Sequence, residues 1–188
     1  MRPDKTRITD LITTRLTRGR TSVEKISPKV NVHAVLRGSD GTIKYEEQGG
    51  NLVTDVGDEV IATRLYDDAV PIVTGMKLGT GATAAAKNGA GAAMVTYINT
   101  SNEALDATAT DATKGAGAGW RTTYVCTWIA GDVTDGAIAE VCLTNQTALT
   151  DTTSAAADTV ARYVFGATID KQAGDSLEVT WNIDILGA

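Results

Sequence analysis

Apolar and polar residues alternate with period two in several stretches of this chain, and that alternation predicts strands. The cleanest run sets Leu177, Val179, Trp181, Ile183 and Ile185 against Glu178, Thr180, Asn182 and Asp184. Such a strand has one face in a core and one in water. Val30, Val32, Ala34 and Leu36 alternate with Asn31, His33, Val35 and Arg37 in the same way. Ser39-Asp40-Gly41-Thr42 follows, and Asp-Gly supplies the positive φ of a tight turn, so residues 30–47 are predicted to form a β-hairpin. Further strands are predicted at 70–78, 94–98, 120–130, 137–143 and 160–169. On the first of the last three, Tyr124, Cys126 and Trp128 share one face, with Val125 and Ile129 on the other, and on the last Tyr163, Phe165, Ala167 and Ile169 alternate. Ala173-Gly174-Asp175 is the turn between the last two strands.

Helical spacing is rarer. Leu52, Val56, Val60, Ile61 and Leu65 fall on one face, Thr54 or Asp55 can cap the start, and Asp55, Asp58 and Glu59 suit the positive end of the helix dipole. A helix is predicted near 55–66. Ile8, Leu11, Ile12 and Leu16 have roughly helical spacing as well, so residues 1–28 can form a short amphipathic helix on docking. The stretches 79–91 and 99–118 are rich in Gly, Ala and Thr without periodicity and are predicted as long surface loops gathered at one end or edge.

Several strands with turns between them and a single body helix imply a mainly β fold: an antiparallel β-sandwich or jelly-roll-like body over residues 29–188, with an extended basic N-terminal arm over 1–28. A doubly wound α/β fold is disfavoured because helical patterns do not separate the strands.

Charge sharpens the division. Residues 1–30 hold eight Lys/Arg and three Asp/Glu, whereas the other 158 hold nine basic and twenty acidic residues. A basic arm on an acidic body is suited to a partner of opposite sign, through Arg2, Lys5, Arg7, Arg15, Arg18 and Arg20. Nucleic acid is disfavoured as that partner, since the arm lacks interleaved aromatics and the body would repel a polyanion. The sequence contains no apolar run long enough for a transmembrane helix and no signal-peptide core, so no membrane partner is expected. Two cysteines, Cys126 and Cys142, on neighbouring predicted strands, make no disulfide framework. They are expected as small core hydrophobes in a protein made in a reducing cytoplasm.

Catalytic patterns are weak. His33, the only histidine, falls on the polar face of a predicted strand. One histidine and two cysteines do not make the common Zn sites. Gly79-Thr-Gly-Ala-Thr-Ala84 fits GxGxxA formally, but neither a following helix nor a βαβ unit surrounds it. Asp132 and Asp135 could face a cation, although an Asp-Gly turn explains them more simply. No enzyme activity, cofactor or metal is expected.

Four segments in order carry a resemblance: Asn51-Leu-Val-Thr-Asp-Val-Gly57, Met76-Lys-Leu-Gly-Thr-Gly-Ala-Thr83, Gly136-Ala-Ile-Ala-Glu-Val-Cys-Leu-Thr-Asn145, and Ile169-Asp-Lys-Gln-Ala-Gly-Asp-Ser-Leu-Glu-Val-Thr-Trp-Asn-Ile183. Together they resemble a class of small virion proteins of tailed bacteriophages, over residues 51–185 and not the arm. Val141-Cys142 departs from that pattern, where a Gly would be more usual. The resemblance implies a virion structural protein, assembled in the host cytoplasm. Its expected role is a capsid decoration (cement) protein that binds the major capsid protein or neighbouring virion subunits and self-associates, as a homotrimer. The alternative is a tail or tail-fibre-associated protein contributing to host attachment, with Tyr97, Trp120 and Tyr124 near the long loops as aromatics that could stack on a sugar. Fibres are usually longer and repetitive, and no internal repeat occurs here. A glycan hydrolase would need two carboxyls at a set separation, and the sequence singles out no such pair.

Overall fold

The structure is a computed structural model and describes residues 28–67, 71–108, 110–115 and 119–186. The predicted amphipathic stretch and the six arm cations lie outside the described residues. Strands β1 (Lys29–Arg37) and β2 (Ile43–Val53) form the predicted hairpin, closed by Gly41 at φ +82°. Helix α1 (Asp55–Thr63) follows, then β3 (Gly75–Gly79), β4 (Glu103–Ala104), β5 (Asp111–Gly115), β6 (Gly119–Trp128), β7 (Asp135–Thr144), β8 (Thr159–Lys171) and β9 (Ser176–Leu186).

All nine strands join one antiparallel sheet in the order β4-β3-β7-β8-β2-β1-β9-β6-β5. The sheet curls into a half-barrel, so the fold is mainly β and sandwich-like, as expected. Strand β2 is the fold line. It pairs with β1 from Ile43 to Asn51 but meets β8 only through Leu52↔Arg162 and Val53↔Ala161. The two halves then close over one core. The Trp128 indole N–H donates to Ser101 O at 2.9 Å, and the Cys126 thiol lies 3.3 Å from Ala104 O, which brings the β3–β4 edge back to β6.

The inward residues of β1 and β9 are the predicted ones. Val30, Val32, Ala34 and Leu36 lie beside Ile183, Trp181, Val179 and Leu177 in register, and all are buried. Trp128 and Trp181 are the largest fully buried side chains, and aromatic rings of that size dominate the core's apolar burial. Leu78, Ile138, Val141 and Leu143 line the opposite wall.

Helix α1 starts where predicted. The Thr54 side chain accepts from Gly57 N at 3.1 Å and its own hydroxyl donates to Val160 O at 2.9 Å, so one residue both caps the helix and ties it to β8. Gly57 allows that approach: a Cβ there would meet Val160 O at 2.3 Å.

Several expectations need correction. The stretch 99–118 contains β4 and β5 rather than loop alone. Residues 94–98 form no strand beyond an isolated bridge between Tyr97 and Gly79. Cys126 and Cys142 do not lie on neighbouring strands; β6 and β7 belong to opposite halves of the sheet. Both are free and buried, and burial pushes both thiols up, Cys142 to about 12. On β8, Phe165 and Ile169 are buried but Ala167 is exposed, because the pairing with β7 slips there.

Candidate partner-binding surfaces

The outer face of the β3–β7–β8 half carries charge, yet water does not reach it. Lys77, Cys142 and Arg162 align side by side across the three strands, with Glu140 one step along β7, and all four are buried. Loops 80–96 and 145–153 cover them, and each loop is held by a buried charge. Glu140 Oε1 accepts from the backbone N–H of Gly81, Val95 and Thr96 at 2.8 to 3.1 Å. Its Oε2 accepts from Arg162 Nε at 2.6 Å, and Arg162 in turn donates to Thr83 O and Gly91 O. The Lys77 ammonium donates to Gln146 Oε1, Thr150 O and Thr152 O, and lies 5.5 Å from the centroid of the Tyr97 ring. Burial lowers its affinity for the proton below that of an ordinary lysine.

The same device recurs at the far end of the body. Lys171, also buried, donates to Ile129 O and Asp132 O and so holds the turn between β6 and β7. Charged groups in a low-dielectric setting are costly unless their protons and lone pairs find partners, and here loop backbone supplies most of them, with Arg162 Nη2 left over.

This arrangement explains the glycine-rich stretch. Within the GxGxxA match only Gly81 N–H donates to an anion, the chain's own Glu140, and the N–H groups of Val95 and Thr96 at the far end of the loop complete the set. Gly79 and Gly81 are needed because a Cβ at either would come within 2.6 Å of the Glu140 carboxylate. The predicted surface loop is thus a lid over a sheet face, not a cluster at one end.

Other candidate residues have structural partners too. His33 Nε2 lies 2.9 Å from Glu46 on the outer face of the β1–β2 hairpin. Asp132 and Asp135 accept from the N–H of Ile129 and Ala137 and cap their own turns. Among the described residues, no group of three His, Cys, Asp or Glu side chains could hold a metal ion. Tyr97 donates to Asp151 at 2.6 Å, burial together with that carboxylate raises its phenol to about 12, and Tyr124 packs against the core. Of the three aromatics considered for stacking, Trp120 alone is well exposed, at 58 %.

A second titratable cluster bridges the fold line. Glu47 on β2 accepts from the Tyr45 and Tyr163 hydroxyls and from Gly166 N. Burial opposes its charge, but those hydrogen bonds prevail and hold the carboxyl below its usual range. Burial and the Glu47 carboxylate push Tyr163 up to about 12. Gly49 leaves the room for this, since a Cβ there would meet the Tyr163 hydroxyl at 2.1 Å.

One end of the half-barrel differs from the rest. The start of β1, the ends of β2 and β9 and the start of β6 meet there, and it exposes Leu52, Leu65, Tyr66, Trp120 and Ile185. Two adjoining grooves open beside Pro28, at the base of the predicted arm. One, of about 890 Å³, runs over Asn31 and Gly50 to Ala84. The other, of about 380 Å³, runs between Pro28 and α1. Leu52, Leu65 and Ile185 belong to apolar patterns that the sequence assigns to a buried face, so the periodicity gives no sign that the folded chain leaves them exposed.

Comparison with protein-family models, with curated proteins and with solved structures returns no match.

Proposed function

We propose that this chain is a structural subunit of a tailed-phage virion, acting as a capsid decoration protein rather than an enzyme. The observation that carries the reading is how the motif residues are used. In three of the four segments that resemble phage virion proteins, Lys77, Glu140, Lys171 and Asp175 are among the charged side chains and are occupied in holding loops and turns. Asp175 accepts from Gln172 N and pairs with Lys44, as Lys171 holds the turn at 129–132. A subunit that works by shape and self-complementary faces needs such rigid loops.

On this reading the β body seats at junctions between capsid subunits, as a homotrimer. The arm cations Arg2, Lys5, Arg7, Arg15, Arg18 and Arg20 run over acidic patches of the major capsid protein or of neighbouring virion subunits. An arm of this kind adds contact area to a compact body. A tail-associated role in host attachment is the second reading, and the exposed Trp120 is the observation that favours it.

The test is re-decoration of particles that lack this protein. Full-length chain should bind them, and replacing the six arm cations by Gln should weaken binding and flatten its salt dependence. Equal binding by both chains at every salt concentration would remove the arm from the account. No binding by the full-length chain would remove the decoration reading.

A further inference from the structure

Helix α1 is poorly covered for an amphipathic element. Val56, Val60 and Ile61 are only partly buried, Leu65 just beyond its end is 86 % exposed, and the helix's one fully buried residue is Gly57. A nine-residue helix is marginal in water and depends on tertiary cover. The 380 Å³ groove lies along this under-covered face, lined by Leu52, Ile61, Ala62 and Leu65, and its other wall is Pro28.

We propose that this groove is the docking site of the chain's own arm, with the amphipathic stretch carrying Ile8, Leu11, Ile12 and Leu16 lying back across α1. Three observations select this occupant. Pro28 forms a wall of both grooves, so the arm leaves the body at the groove itself. Residues 17–27 then make a tether of eleven, with a reach of roughly 36 Å when extended, whereas α1 is only about 13 Å long. Reversal is therefore easy, and Gly19 sits where a turn is needed. Net charge also matches: Asp55, Asp58 and Glu59 at the start of α1 outnumber Lys87, which pairs with the first two, and the arm stretch holds Arg15 and is flanked by Lys5, Arg7 and Arg18. The tether favours the chain's own arm over a second copy's, because a short linker holds it at an effective concentration on the order of millimolar. The apolar face of the arm would cover Ile61 and Leu65, with some of its cations at the margin beside the acidic start of α1 and the rest outward. This does not depend on which partner those cations meet.

Cross-linking in the full-length chain tests it. Ile12→Cys is combined with Ala62→Cys, an exposed position on α1, and treated with a short bis-maleimide at low micromolar protein; the native thiols are buried. The expected product is an intramolecular link between positions 12 and 62, in yield independent of protein concentration. Its yield should exceed by about tenfold that of a control pair, Ile12→Cys with Ile129→Cys, at the opposite end of β6. Adding Leu65→Glu should reduce the link. Links found only between isotopically distinct copies would assign the groove to a second copy's arm and overturn the proposal. A yield no higher than the control would overturn docking altogether.

Discussion

Glu140 and Arg162 form an ion pair at 2.6 Å with no solvent-exposed side-chain surface on either residue. The pair sits on the outer side of β7 and β8, beneath a loop that a sequence reading treats as surface. Both carboxylate oxygens and two of the three guanidinium nitrogens have partners, while Arg162 Nη2 is buried with none among the described residues. Removing one member should cost far more than removing both. Glu140→Gln or Arg162→Met should each lower unfolding free energy by about 3–5 kcal/mol, because each leaves an uncompensated buried charge. The double variant Glu140→Gln/Arg162→Met should lose clearly less than the sum of the singles. Urea unfolding of the four proteins reads the coupling directly.

Gly57 sets a second expectation. Alanine is the better helix former by about 1 kcal/mol, so propensity alone says that Gly57→Ala stabilises α1. The close approach of Val160 O and the Val53 side chain says the opposite, because the new methyl would displace β8 backbone. Overpacking of this kind costs about 1–3 kcal/mol, and the net change should be destabilising. Thermal unfolding of the variant decides between the two terms by sign.

Alkaline titration should expose the Tyr163–Glu47 contact. The phenol is pushed up to about 12 in the folded protein and titrates near 10 when unfolded. A group whose folded value is raised contributes stability that is intact below pH 10 and is lost as pH climbs from 10 towards 12. Absorbance at 295 nm should show a tyrosine ionising late in that window. Glu47→Gln should move this ionisation back towards pH 10, since it removes the negative charge that repels the phenolate.

The parts of this fold that follow period and cap chemistry are legible in the sequence. Alternation at 176–186 and 29–37, the Asp-Gly turn and the Thr54 cap all have local causes, and the structure has them in place. Strands β4 and β5 have none: Glu103–Ala104 is two residues long, and Asp111–Gly115 is small and polar, so neighbours rather than side chains make them strands. Lys77 misleads for a related reason. Alternation in Met76-Lys77-Leu78 points the lysine outward, which is correct, but outward is covered, and all five residues of β3 are buried. Its partners are mostly backbone carbonyls of residues 150 and 152, and carbonyls leave no mark in a sequence. The groove at Pro28 is illegible likewise, since it joins residues from 28 to 87 that only the folded sheet brings together.

The central claim is that this chain is a lattice-wide virion component, and copy number in the purified particle tests it most directly. Quantitative gel densitometry against the major capsid protein should give a ratio near one-to-one, or hundreds of copies per particle. A dozen copies or fewer would move the chain to the tail or a single vertex, and absence from the particle would contradict the account.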